Sequence, residues 1–189
     1  MKPNQDLDII RQQAILSSLA GFPFLLVFAV VWTLAGSLSF LVPRDVAPWL
    51  YLCLGIPATP VAIAIERRAG YVRAPSPDPL LPLALQLFFV QVVAFPAILI
   101  VWDLAPAYVP VAFAAVVGGH FLPFQWIYRT PLYLVLGIVV GVGPYVLAVI
   151  VGTKALHYTG LFVGGTLLIG AFVARAHARE TWLESRSNP

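Results

Sequence analysis

Inside the apolar stretch GGHFLPFQWIYRTP, Gly118 to Pro131, three side chains can do more than pack: His120, Gln125 and Arg129. A neutral imidazole offers one donor and one acceptor nitrogen, so His120 needs a partner or a ligand wherever water is excluded. Gln86 and Gln91, in the preceding apolar run, carry amides that can satisfy either nitrogen. Such a set could hydrogen-bond a solute or an ion along a pathway. It could equally be an interhelical tie of about 0.6 kcal/mol with no role beyond packing. Ser17, Ser18 and Thr59 add hydroxyls in neighbouring runs and could line the same vestibule.

Other chemistry is poorly provided for. All eight acids, Asp6, Asp8, Asp45, Glu66, Asp78, Asp103, Glu180 and Glu184, lie at the ends of apolar runs or between them. None therefore sits where a proton- or sodium-coupled pump would hold its carboxylate. His157 and His177 fall at opposite ends of the last run, leaving His120 without a second histidine at its own depth for haem or metal; no cofactor and no metal is expected. Neither G-x-S-x-G nor H-E-x-x-H occurs, and there is no P-loop, so no catalytic residue is assigned. A Ser17–His120 or Ser18–His120 dyad would need an arrangement that no spacing implies.

Six apolar runs must position these residues: Ile15–Leu41, Val46–Ile65, Leu80–Trp102, Val109–Phe124 extending toward Tyr128, Leu132–Val151 and Tyr158–Ala174. Each approaches the roughly 20 residues that a helix needs to cross a hydrocarbon core. The chain is 60% hydrophobic and 10% charged, with a mean hydropathy of +0.91, far from the composition of a water-soluble domain. The runs are continuously apolar, which excludes the alternation of a barrel. The predicted fold is all-α: a polytopic transmembrane bundle of six helices spanning residues 15–174, with a cytoplasmic N-terminal segment, 1–14, and a cytoplasmic tail, 175–189. The leading segment carries Asp6 and Asp8 and does not read as a signal peptide.

Orientation follows from Lys and Arg. With the N-terminus inside, Lys2, Arg11, Arg67, Arg68, Arg73, Arg129, Arg175, Arg179 and Arg186 face the cytoplasm, while Arg44 and Lys154 lie outside. This asymmetry predicts both termini in the cytoplasm of a multi-pass cell-membrane protein. The basic residues are scattered between runs and form no nucleic-acid stripe; membrane lipids are the expected partners. Cys53, the one cysteine, reads as a buried structural thiol.

Helical rise places Gln86 roughly 9 Å and Gln91 roughly 16 Å from the start of the third run, and His120 roughly 13 Å from Arg129. One of the two glutamines is predicted to approach His120. Nine residues separate His120 from Arg129, so they point to opposite faces, whereas Gln125 and Arg129 share one. Arg129 with Trp126, Tyr128 and Tyr133 has the composition of an interfacial belt; a contact to a headgroup or an anionic solute is the other reading. Pro23, Pro57, Pro60, Pro96, Pro123 and Pro144 are kink candidates. Gly137-x3-Gly141 and Gly160-x3-Gly164 predict close packing of the fifth and sixth helices and offer a surface for a homo-oligomer. The first two hairpins echo each other faintly, through Asp45-Val-Ala-Pro48 with Gly55, Pro60 and Arg67, and Asp103-Leu-Ala-Pro106 with Gly118, Pro123 and Arg129.

The stretches GGHFLPFQWIYRTPLY, GFPFLL and GIPATPVAIAIERRAG together resemble an uncharacterised family of small bacterial six-helix integral membrane proteins, a domain of unknown function. The resemblance covers nearly the whole chain and implies a protein of a bacterial inner membrane, without assigning any activity or site residue. Three functions stay open: a small-solute transporter or channel-like protein around Gln86, Gln91 and His120; a structural or accessory membrane protein; and a lipid-acting enzyme using His120 as a base.

Overall fold

The computed structural model describes residues 3–73 and 79–187; Lys2 and Asp78 lie outside the described residues. Every element among the described residues is helical. Five stretches are long and apolar enough to cross a membrane: Asp6–Leu38, Ala47–Ala69, Pro82–Leu104, Pro106–Tyr128 and Leu132–Ser187.

The first stretch is broken. α1 (Pro3–Ser18) gives way at Leu19, Ala20 and Gly21, whose φ values are 52°, 51° and 79°, and α2 (Phe22–Leu38) starts afresh with Pro23 in its first turn. Proline is tolerated there because that N–H has no helical acceptor. Pro23 therefore starts a helix where the sequence suggested a kink inside one. The second stretch is broken before Pro57, into α3 (Ala47–Gly55) and α4 (Ala58–Ala69). Then come α5 (Leu81–Leu104), α6 (Val109–Tyr128) and α7 (Leu132–Val151), which keep Pro96, Pro123 and Pro144 inside helical geometry. A 3-10 turn at Gly152–Lys154, with Gly152 at φ 61° and ψ −136°, leads into α8 (Ala155–Ser187). The hairpin echo does not reach local structure: Gly55 closes α3, whereas Gly118 lies inside α6.

α8 is the centre of the bundle. Leu156, Thr159, Val163, Leu167, Ala171, Ala174 and Ala178 recur every three or four residues along one face and are fully buried. α2 packs along this face, α6 packs along α7, and α7 packs on α8. Both contacts of highest intimacy are built from glycine. A Cβ on Gly160 would stand 2.6 Å from the Gly36 Cα, and one on Gly118 would stand 2.5 Å from the Gly141 Cα. Real Cβ atoms do not approach so closely, so these backbones meet only because side chains are absent. Both small-residue motifs are thus spent inside the chain. Gly137 and Gly141 face α6, and Gly160 and Gly164 face α2, so neither sits between α7 and α8.

Contacts sort the helix ends into two groups. At one end, α1, the ends of α4, α6 and α8, and the start of α7 come together, and with them Arg11, Arg67, Arg68, Arg129, Arg175 and Arg179. At the other end meet Ser39, Trp49, Tyr51, Trp102 and His157. Cys53 is exposed, contrary to the expectation of a buried thiol. α3 packs through Ala47, Pro48 and Tyr51, and position 53 falls on the opposite side of the helix.

Candidate functional site

His120 sits on α6 opposite α5. Its Nδ1 lies 3.1 Å from the Leu87 carbonyl oxygen. A carbonyl can only accept, so Nδ1 carries a proton, and in a neutral ring Nε2 is then the acceptor nitrogen. The partner is main chain, not the predicted glutamine amide. α5 turns Leu87, Ala94 and Ile98 inward, and Gln91, half-buried, shares that face one turn from Leu87. Gln86 is rotated about 100° from Leu87 and stands exposed on the outside of the bundle. The ring of His120 is flanked by Phe124 at 5.2 Å and Phe121 at 6.2 Å between centroids. His120 is thus tied to the α5 main chain, Gln91 lies one turn from the residue that accepts its bond, and Gln86 is on another face.

Arg129 behaves differently from the sequence reading. It terminates α6 in the left-handed conformation, φ 52° and ψ 38°, so its expected i,i+4 relation to half-buried Gln125 does not hold. Its Nη1 instead pairs with Asp8 Oδ1 of α1 at 3.1 Å, with both side chains about half exposed. Trp126 is exposed, as a belt residue should be, and the Arg11 guanidinium lies 3.8 Å over its ring. Tyr128 and Tyr133 are not belt residues: both are buried in the core.

These two tyrosines organise a feature that the sequence did not reveal. The Tyr133 hydroxyl donates to the Ala20 carbonyl at 2.5 Å, and Ser18, which donates to the Ala14 carbonyl at 2.7 Å, lies 3.1 Å from the Tyr128 hydroxyl. His177 Nε2 lies 2.9 Å from the Tyr128 carbonyl. The N–H of Tyr71, beyond α4, donates to the Leu16 carbonyl at 2.9 Å, and its ring stacks on Trp182 of α8. The break in the first stretch is thus held from α6, α7, α8 and the segment after α4. The only sequence signals were a Gly-x-Pro and two tyrosines, none specific.

The opposite end holds a Ser39–His157 contact of 2.8 Å between Oγ and Nδ1. It resembles half of a hydrolase dyad, but Ser39 is fully buried and its proton is directed at the Gly36 carbonyl, 2.6 Å away. The hydroxyl therefore accepts from His157 and is not set up as a nucleophile. Beside it the Tyr51 hydroxyl donates to the Leu156 carbonyl at 2.8 Å. Among the described residues, no three of His, Cys, Asp and Glu come together as metal ligands would. Two open apolar grooves mark the outer surface. One of about 630 Å³ lies between α7 and α8 near Lys154, and one of about 440 Å³ is lined by Val101, Tyr108, Ala112, Gly141 and Tyr145. Neither is lined by His120, Gln91 or Gln125.

Residues 7–177 match a family of unknown function (DUF7010), and the chain belongs to that family, as the resemblance of its motifs implied. No curated protein and no solved structure matches it significantly.

Proposed function

We propose that this chain is a six-span protein of a bacterial-type inner membrane, with both termini in the cytoplasm, working as a non-catalytic accessory or structural component. Six spans follow from dividing the 56-residue stretch Leu132–Ser187 at Gly152. An unbroken helix of that length would extend roughly 84 Å, against roughly 30 Å of hydrocarbon. α7 and α8 also pack on each other, as an antiparallel pair would. The end that gathers Arg11, Arg67, Arg68, Arg129, Arg175 and Arg179 is then cytoplasmic.

One observation carries the accessory reading. Four interior polar side chains end on main-chain carbonyls of neighbouring segments: His120 on Leu87, Tyr133 on Ala20, Tyr51 on Leu156 and His177 on Tyr128. Groups used in this way fix broken or kinked helices instead of presenting themselves to a solute. A second reading, a small-solute transporter with a cytoplasm-facing vestibule, is favoured by the His120 Nε2, which has no hydrogen-bond partner among the described residues, and by the broken first stretch. Discontinuous helices of that kind bind substrates in known carrier folds.

Access to water separates the two. In a Cys53→Ser background, His120→Cys in inside-out vesicles is expected to resist a membrane-impermeant maleimide, while Arg73→Cys and Arg129→Cys react and Lys154→Cys does not. Labelling of position 120 at a rate near that of position 73 would overturn the accessory reading in favour of the vestibule. Labelling of position 154 from the cytoplasmic side would overturn the six-span topology.

A further inference from the structure

α5 is the least covered helix of the bundle. It packs along α6 through Leu87, Ala94 and Ile98, and touches α3 through the Trp49–Trp102 ring contact. Its other face runs Gln86, Phe89, Val93, Ala97, Ile100 and Leu104, spaced by three or four residues, and all of it is exposed; Val93 and Leu104 are each 77% accessible. An apolar face alone would simply meet lipid. This one carries one polar group that hydrocarbon cannot satisfy, and the adjoining flank, about 100° round the helix from Val93, carries a second.

The first is the Gln86 amide, which has no hydrogen-bond partner among the described residues. Thr166, a polar residue on an outward face of α8, shows the ordinary alternative: its hydroxyl donates to the Phe162 carbonyl of its own helix at 2.9 Å. The second is the Val92 carbonyl. Pro96 has no N–H, so that carbonyl loses its regular helical donor, and both Val92 and Pro96 are exposed. In a membrane such groups are matched by a neighbouring helix or another protein.

We infer that the exposed face of α5, centred on Gln86 and Val93, is the interface through which two copies of this chain form a dimer in the membrane. Copies inserted the same way round are related by a two-fold axis along the membrane normal, so α5 meets α5 in parallel and each residue meets its equivalent at the same depth. An amide is self-complementary, because it donates through its NH₂ and accepts through its oxygen. Gln86 of one protomer and Gln86 of its partner can therefore bond reciprocally, which an isolated α5 in lipid cannot achieve. The association is independent of whether His120 is reached by water, so it goes beyond the accessory reading.

The test uses the full-length protein in the Cys53→Ser background. Val93→Cys is expected to form a disulfide-linked dimer in membranes under mild oxidation, and Phe172→Cys, equally outward on α8, is not. In reconstituted vesicles, with the dimer fraction read by subunit counting of labelled protein, Gln86→Leu is expected to weaken association about threefold or more, the size of one interhelical hydrogen bond. Equal cross-linking at positions 93 and 172, or none at 93, overturns the interface. An unchanged dissociation constant for a Gln86→Leu protein with native helicity overturns the role of the amide. The cysteine arm stands even if Gln86→Leu fails to fold.

Discussion

α8 and α5 are both long apolar helices, yet α8 is buried along its whole inward stripe while α5 is covered on one side only. Hydrophobicity does not separate them, since lipid tails receive Leu and Val as readily as a protein interior does. What separates them is backbone access. α8 offers Gly160 and Gly164 to Gly36 and Ala29 of α2, and the main chains come within direct contact. α5 has no glycine between Leu81 and Leu104 and holds its neighbour through larger side chains. Small residues decide which helices this membrane chain locks together.

The largest expected effect comes from filling the tight contact. Gly160→Val would force the α2 and α8 backbones apart and should destabilise the fold by about 3 kcal/mol or more, at or above the upper end of overpacking penalties. Gly165→Ala, beside open space on the same helix, should be neutral or stabilise by up to about 1 kcal/mol. Denaturation of purified protein in mixed micelles measures both. Equal losses from the two would break the contrast, because an added Cβ at Gly165 meets nothing and close approach could then not be the cause.

A second tier tests the break between α1 and α2, where the chain departs from helix without the help of a long loop. Gly21→Ala combines a left-handed φ of 79° with a Cβ placed against the Tyr133 hydroxyl, and should cost about 2 kcal/mol. Tyr133→Phe removes only the bond to the Ala20 carbonyl and should cost about 1 kcal/mol, measured by the same denaturation. If Tyr133→Phe proved the more harmful, the hydroxyl would be the main element holding the break, and the glycine conformation secondary.

Legibility in the sequence tracked the same distinction. Runs of about 20 apolar residues, such as Leu132–Val151, were readable because length and hydropathy are local. Close approach at the glycines was readable too, but their partners were not: Gly160-x3-Gly164 meets α2, and nothing in the motif encodes which helix comes to it. α1 was hidden because its polar, charged residues resemble a tail, and its helix is held by tertiary contacts such as Arg11 on Trp126. The need of His120 for a partner is legible from its residue type alone. Its partner is not legible, because every residue owns a carbonyl and Leu87 carries no signal of the kind that an amide at Gln86 or Gln91 does. Tyr128 and Tyr133 were misplaced for a related reason: position near an arginine suggested a belt, whereas burial depends on packing between α6 and α7.

The smallest effect is the most discriminating at the arginine-rich end. Arg129 combines an exposed ion pair to Asp8 with a left-handed backbone, and these act in opposite directions on substitution. An exposed pair contributes about 0–1 kcal/mol, and a non-glycine residue in the left-handed region costs about 1–2 kcal/mol. Arg129→Ala loses the pair and keeps the strain, so it should destabilise slightly. Arg129→Gly loses the pair but relieves the strain, so it should match or exceed the parent, with the two variants differing by about 1 kcal/mol. Raising the salt concentration should narrow the gap between parent and Arg129→Ala while leaving the gap between the two variants unchanged. Should the two variants prove equally stable, the left-handed turn ending α6 would carry no strain, and Arg129 would matter only through its charge.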